Sequence, residues 1–182
     1  MPTSRKPVPA GPAGAAPRGP RRATGSAKAR RSSARLAAVQ VLYQIELTGI
    51  EPGAALAEYV KHRVGQDMDG DTFVEPDAEL LIAVVEGIAG RGGEIDGMVA
   101  GSLQNHQFDR LEMLLRAILR AGAWELMASH GTHPRIVIND YVDVAHAFFA
   151  GREPAMVNGV LDRLARALRP DEMEGAADGR AG

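Results

Sequence analysis

From Ser33 onward the apolar positions of the chain recur at steps of three and four, the period of a helix buried along one side. The first run holds Leu36, Val39, Leu42, Tyr43 and Leu47 and ends at Gly49, with Ser32 and Ser33 in front of it as candidate N-caps. Pro52 opens a short second helix through Leu56, Tyr59 and Val60, and a polar acidic loop follows at 65–71. A third helix starts near Pro76 and carries Leu80, Leu81, Val84, Val85 and Ile88. Gly90, Gly92 and Gly93 then break it ahead of a weaker fourth with Ile95, Met98, Val99 and Leu103. The most regular stripe is Leu111, Leu114, Leu115, Ile118, Leu119, Gly122 and Leu126. A loop at 130–134 precedes a sixth helix with Ile138, Val142, Ala145, Phe148 and Phe149. Pro154, suited to a first helical turn, opens a seventh through Val157, Val160, Leu161, Leu164 and Leu168. No stretch alternates with period two for long enough to make a strand. The pattern predicts an all-α single domain of about seven short helices.

The flanks differ in kind. Residues 1–30 are rich in Pro, Gly, Ala and Arg, with Met1 and Val8 their only large apolar side chains. Such a segment buries too little surface to offset its ordering entropy, so a disordered basic arm is expected there. The folded domain is expected over 31–169, and a fraying acidic tail over 170–182.

Charge sharpens this division. Residues 1–35 carry nine basic side chains and no Asp or Glu, while the remainder carries twelve basic and twenty-three acidic ones. A formal net charge of −2 thus joins a +9 arm to a −11 body. Segregation of this kind points to a polyanionic partner. The longest apolar run, 80–85, is far too short for a bilayer, and the N-terminus has no apolar core of a secretory signal. Six prolines within residues 1–20 argue against an amphipathic transit peptide, so a cytoplasmic protein without a membrane partner is expected.

Candidate chemistry adds little. The chain has no cysteine, which excludes disulfides and thiolate sites. His130 and His133 lie in a Gly- and Pro-containing loop without nearby carboxylates, and read as surface. Asp67, Asp69, Asp71 and Glu75 lack the glycine placement of an EF-hand. The glycines at 90, 92 and 93 follow a helix, not a strand, and no Walker loop or nucleophile elbow is present. No catalysis, cofactor or metal is expected.

What remains is the junction of arm and helix. Lys28, Arg30, Arg31 and Arg35 run directly into the first helix, with Arg31 and Arg35 one turn apart on one face. Cations at a helix N-terminus oppose the macrodipole, and a phosphate there would reverse the balance by meeting guanidinium forks and free N–H groups together. Gln40 and Tyr43, further along, offer an amide and a ring to a nucleobase, although Tyr43 also fits the apolar stripe.

Four blocks in order resemble the NusB family of bacterial transcription antitermination factors: 35–44 (RLAAVQVLYQ), 117–126 (AILRAGAWEL), 138–140 (IND) and 157–162 (VNGVLD). The resemblance spans about residues 28–169. It implies two small helical bundles and binding of a single-stranded boxA element in ribosomal RNA leaders. It also implies a heterodimer with NusE, a small-subunit ribosomal protein, and assembly with other Nus factors on RNA polymerase, without a chemical step. Arg31 and Arg35 match the family's arginine-rich box, whereas Ser32 and Ser33 stand where arginine is common, a gap that Lys28, Arg30 and the upstream arm can fill. Gln40 and Tyr43 match its helix-one motif. Met156 replaces a common aromatic, so the implied stacking contact is lost or passes to Phe148 or Phe149. Asn139 and Asn158, set among apolar neighbours, read as structural hydrogen-bonding groups, and Arg120 and Glu125 as an internal ion pair, a partner contact or an RNA contact. The alternatives are an appendage like that of RNA cytosine methyltransferases and a generic helical module with a basic tail.

Overall fold

The computed structural model of the protein describes residues 25–64, 74–104 and 107–175, which form helices α1 (Ala27–Thr48), α2 (Pro52–Val64), α3 (Ala78–Ser102), α4 (Met113–Ala128), α5 (Pro134–Phe148), α6 (Glu153–Leu168) and α7 (Pro170–Glu174), with a 3-10 turn at Phe108–Arg110. The acidic loop over 65–71 falls outside the described residues.

The first helix begins well ahead of Ser33. Ser26 is its N-cap, its hydroxyl accepting from the Ala29 N–H at 3.2 Å. The segment before α3 braces the added turns: Asp77 N–H donates to the Arg30 carbonyl at 3.0 Å, and the Ser33 hydroxyl donates to the Val74 carbonyl at 3.0 Å. Gly25 makes the approach possible, since its φ is +96° and a Cβ there would press on Val74 at 2.9 Å. Lys28 and Arg30 are therefore helical residues, and Ser32 and Ser33 lie inside the helix, not at its cap.

One further expectation holds and one changes. The third and fourth helices are two helical segments that meet at a kink at Arg91 (φ −133°, ψ 22°) and are labelled together as α3. The kink falls among Gly90, Gly92 and Gly93, where the break was expected. Past Leu168 the chain does not fray at once: α7 folds back against α5 and α6, with Met173 buried.

Helices α1, α2 and α3 pack on one another, as do α4, α5 and α6, and α4 joins the two groups through α1 and α3. This central role follows from its sequence. Ala117, Ala121, Gly122 and Ala123 interleave with Leu115, Ile118, Leu119 and Leu126, leaving α4 apolar and buried around most of its circumference. A Cβ at Gly122 would stand 2.7 Å from a Leu161 methyl, so α6 approaches there without room for a side chain. Ion pairs tie the groups at their margin: Arg116 and Arg120 both reach Glu46 on α1, and Arg120 also grips Asp96 on α3 at 2.6 Å.

Two glycines of α3 make the packing testable. A Cβ at Gly87 would overlap the Trp124 indole, whereas at Gly97 nothing stands within 4 Å. Chemical denaturation should find Gly87→Ala destabilising by about 1–3 kcal/mol through overpacking. Gly97→Ala should stabilise by about 0.5–1 kcal/mol through helix propensity alone; equal signs for the two would refute the assignment.

Candidate nucleic-acid interface

On α1, Lys28, Arg31, Ser32 and Arg35 follow one another at steps of three, one and three along the same side. That stripe passes from water into the core. Lys28 and Arg31 are exposed, Ser32 is half-buried, and Arg35 is 1% exposed. Beyond it Ala38, Val39 and Leu42 continue the stripe as core.

Arg35 uses its guanidinium internally. Its Nε donates to Glu125 Oε2 at 2.9 Å, its Nη2 to Glu125 Oε1, and its Nη1 to Asp140 Oδ2 at 2.5 Å. The Tyr141 hydroxyl donates to the same Glu125 carboxylate at 3.1 Å, and the Ser32 hydroxyl donates to Asp140 at 2.8 Å. Burial acts to lower the Arg35 pKa, but the hydrogen bond and charge of Glu125 outweigh it and the pKa is raised. Burial and the Glu125 charge likewise push the Tyr141 phenol well above its ordinary value, so it stays a donor. The expectation that Arg35 meets phosphate is corrected here: a guanidinium already forked onto two carboxylates in the core has no face to offer RNA.

Arg31 behaves differently. Among the described residues it donates one hydrogen bond, Nη1 to Thr132 Oγ1 at 3.1 Å, and remains exposed. Lys28 is exposed beside it, and Arg30, half-buried, has an Nε with no hydrogen-bond partner. The structure thus gathers Lys28, Arg31 and Ser32 at one mouth, where α1 meets the 129–133 loop.

The other predicted residues lie elsewhere. Gln40 is exposed but about two and a half turns beyond Arg31, which places it on the opposite side of α1. Tyr43 is half-buried. Phe148, 43% exposed, ends the 15-residue α5, roughly 20 Å from the loop that holds Arg31. Met156 packs on the core and lines a cleft of about 270 Å³ with Leu103, Arg152, Gly159 and Arg163. Arg163 is fixed there by donation to the Ser102 carbonyl at 2.8 Å. Asn139 and Asn158 are both exposed, contrary to their reading as structural groups. Apolar neighbours in sequence point to other sides of a helix and say little about burial. Arg120 and Glu125 belong to internal ion pairs, and His133 caps α5, its Nδ1 accepting from the Arg135 N–H at 3.2 Å.

Thr132 and Arg169 belong to no motif in the sequence, and Asp140 is marked only as the end of the 138–140 block. Arg169, 4% exposed, donates to the carbonyls of Ser129 (3.2 Å) and Thr132 (2.8 Å) and forks onto Glu172 at 2.7 and 2.6 Å. Its signal in the sequence was slight: one arginine between an apolar helix end and a proline.

The NusB family model matches residues 32–166. A curated relative, the transcription antitermination protein NusB of Rhizobium rhizogenes, is 41% identical over 76% of this chain and 88% of its own length. Among solved structures, NusB of T. maritima superposes with a TM-score of 0.66 over 79% of this chain and 96% of its own, at 22% identity, a likeness of fold. A crystal structure of the antitermination factors NusB and NusE in complex with double-stranded RNA matches at 29% identity and a TM-score of 0.64, covering 75% of this chain and 96% of the neighbour.

Two consequences are measurable. Arg35→Met leaves Glu125 charged and buried, and should cost about 3–5 kcal/mol, lowering Tm by roughly 10 °C. Adding Glu125→Leu should recover part of that loss, and no recovery would contradict the pairing. The second concerns pH. The Arg169 hydrogen bond lowers the Glu172 pKa from its ordinary value. Its stabilisation is therefore fully present above the pH where an unfolded glutamate titrates, about 4.3, and is lost as pH falls through the lower folded value. The Tm gap between the parent and Glu172→Gln should be open at neutral pH and close in acid.

Proposed function

This chain belongs to the NusB family of transcription antitermination proteins, and we propose that it binds RNA of ribosomal leaders at the mouth formed by the start of α1 and the 129–133 loop. The observation that carries this reading is the partition of one helix stripe. Arg35 is consumed by Glu125 and Asp140, while Lys28 and Arg31 are left facing solvent on the same side, at the end of a segment without a single acid. The first turn of α1 itself has no acidic residue, so its N–H groups and the two side chains present only positive potential to a phosphate.

Single-stranded boxA-type RNA is the substrate we propose, with NusE as protein partner and the antitermination complex on RNA polymerase as the setting. The crystal structure of a NusB–NusE–RNA complex among the solved neighbours supports RNA and NusE, and makes duplex RNA the natural comparison. Phosphate contacts give position and affinity, whereas exposed bases give selectivity. Lys28, Arg30 and Arg31 supply the first. The proposed base contacts are Gln40, Tyr43, Phe148 and Met156, with Ser32 holding Asp140 at the mouth. The separation of Phe148 from Arg31 by about the length of α5 suits a polynucleotide laid across the body, not a small ligand. The acidic body favours encounter with a basic ribosomal protein on surfaces away from the arm.

With Arg35 removed from the cluster, three cations remain, and the slope of log K against log salt contributed by them should be near −0.7 per cation, about −2 in total. A mobility-shift titration on single-stranded leader RNA should show Lys28→Ala with Arg31→Ala weakening binding and flattening the slope by about 1.4. NusE should tighten binding of the parent cooperatively. Unchanged affinity and slope in the double variant would overturn the mouth as the RNA site, and tighter binding to duplex RNA would overturn the single strand.

A further inference from the structure

The loop 129–133, against which Arg31 rests, has no regular structure of its own. Its shape is imposed from the far end of the chain. The buried Arg169 guanidinium takes the carbonyls of Ser129 and Thr132, the first of these being the C-cap residue of α4, where a cation complements the negative helix terminus. Glu172 holds Arg169 in a two-pronged grip, and Met173 plugs the space beneath, 1% exposed. Two cross-links close the assembly: His133 Nε2 lies 3.1 Å from the Glu172 carbonyl, and Arg135 donates to the Met173 carbonyl at 3.4 Å.

On the opposite side of the loop, the Thr132 hydroxyl accepts from Arg31, and Thr132 itself is 8% exposed. A single residue therefore gives its backbone carbonyl to Arg169 and its side-chain oxygen to Arg31. We infer that α7 and Arg169 form a clasp that positions Arg31 for phosphate through Thr132, making Arg169 and Thr132 positioning residues for RNA binding. This rests on the assignment of Arg31 to RNA contact.

The physics is that of preorganisation. A free arginine side chain loses much rotamer freedom on gripping a phosphate, and the loss subtracts from affinity. One bond to a fixed hydroxyl removes part of that freedom in advance, while the guanidinium has five N–H groups and keeps most of its fork for the ligand. The fixation is only as firm as the loop. Because the Thr132 carbonyl is anchored by a guanidinium that is itself anchored by Glu172, the C-terminal turn sets where the N-terminal cation stands.

The test uses the full chain and a fluorescein-labelled single-stranded ribosomal-leader RNA, with binding read by anisotropy at several salt concentrations. Thr132→Val keeps the backbone carbonyl for Arg169 and deletes only the acceptor for Arg31. It should weaken binding about two- to tenfold with the salt slope unchanged, since no phosphate contact is removed. Arg169→Lys, which cannot span both carbonyls and Glu172, should weaken binding in the same range. In an Arg31→Ala background neither change should have further effect. A loss of the same size with and without Arg31 would assign these residues a purely structural role and overturn the inference. So would parent-like binding by Thr132→Val when Arg31→Ala weakens binding, an outcome that leaves the RNA assignment standing. An Arg31→Ala chain that binds like the parent would instead remove the RNA assignment, and the inference with it. Where Arg169→Lys fails to fold, Thr132→Val carries the test alone.

Discussion

A guanidinium buried in a core of alanine, valine and leucine is the constraint around which this protein is assembled. Removing Arg35 from water is costly unless charge and hydrogen bonds replace the lost solvent, and one carboxylate does not satisfy the whole fork. Glu125 on α4 and Asp140 on α5 together do so, and Tyr141 and Ser32 occupy further acceptor positions on those two carboxylates. The donors and acceptors have fixed directions, so α1 has one depth and one rotation at which they meet. An apolar stripe alone would let a helix slide or rotate by a fraction of a turn at small cost. The network does not. It ties the first group of helices to the second at the point where α1 leaves the body.

The same constraint shapes the surface proposed for RNA. Because Arg35 is held, the residues one and two turns before it are held as well. The helix projects from the core with Arg31 and Lys28 on its continuing stripe. Asp140 connects the two roles directly, accepting from Arg35 on its buried side and from Ser32 toward the mouth. Stability and the proposed recognition therefore share one helix side and are separated only by depth. The three cations of this stripe, Lys28, Arg31 and Arg35, are alike in charge; what differs is whether carboxylates from α4 and α5 reach them.

That distinction explains what was legible in the sequence. Helix period and proline placement located α2 and α4 to α6, because those signals are local. The true start of α1 was not local. Its added turns depend on hydrogen bonds from 74–77, a segment distant in sequence, and no capping rule applied to Ser32 or Ser33 would reveal them. The kink at Arg91 was legible, because Gly90, Gly92 and Gly93 around it are a local signal for an interruption of the helix. Arg35 was legible in part: it stands at the head of the stripe continued by Ala38, Val39 and Leu42, and a strict helical count places it inward. An arginine in that register calls for buried acids elsewhere, and Glu125, set among the apolar residues of α4, was one candidate. The clasp of Arg169 was not legible, because its partners are backbone carbonyls, which every residue possesses.

The segregation of charge takes on a narrower meaning in this light. Net charges of +9 and −11 treat every ionisable group alike, yet a paired group acts at a distance as a dipole whose field decays quickly beside a Debye length of about 8 Å. Arg35, Arg116, Arg120 and Arg169 are half-buried or buried and neutralised by Glu46, Asp96, Glu125, Asp140 and Glu172. They add little to the field that an approaching polyanion meets. Lys28 and Arg31 are exposed and make no ion pair with a carboxylate among the described residues, and five further cations precede them at 5–22. Much of the body's remaining acid is exposed and repels RNA. On the proposed reading, an incoming strand is directed not by the total charge but by the unpaired cations at the mouth of α1. The buried pairs withdraw Arg35 from that set, fixing the inner limit of the attractive surface at Arg31.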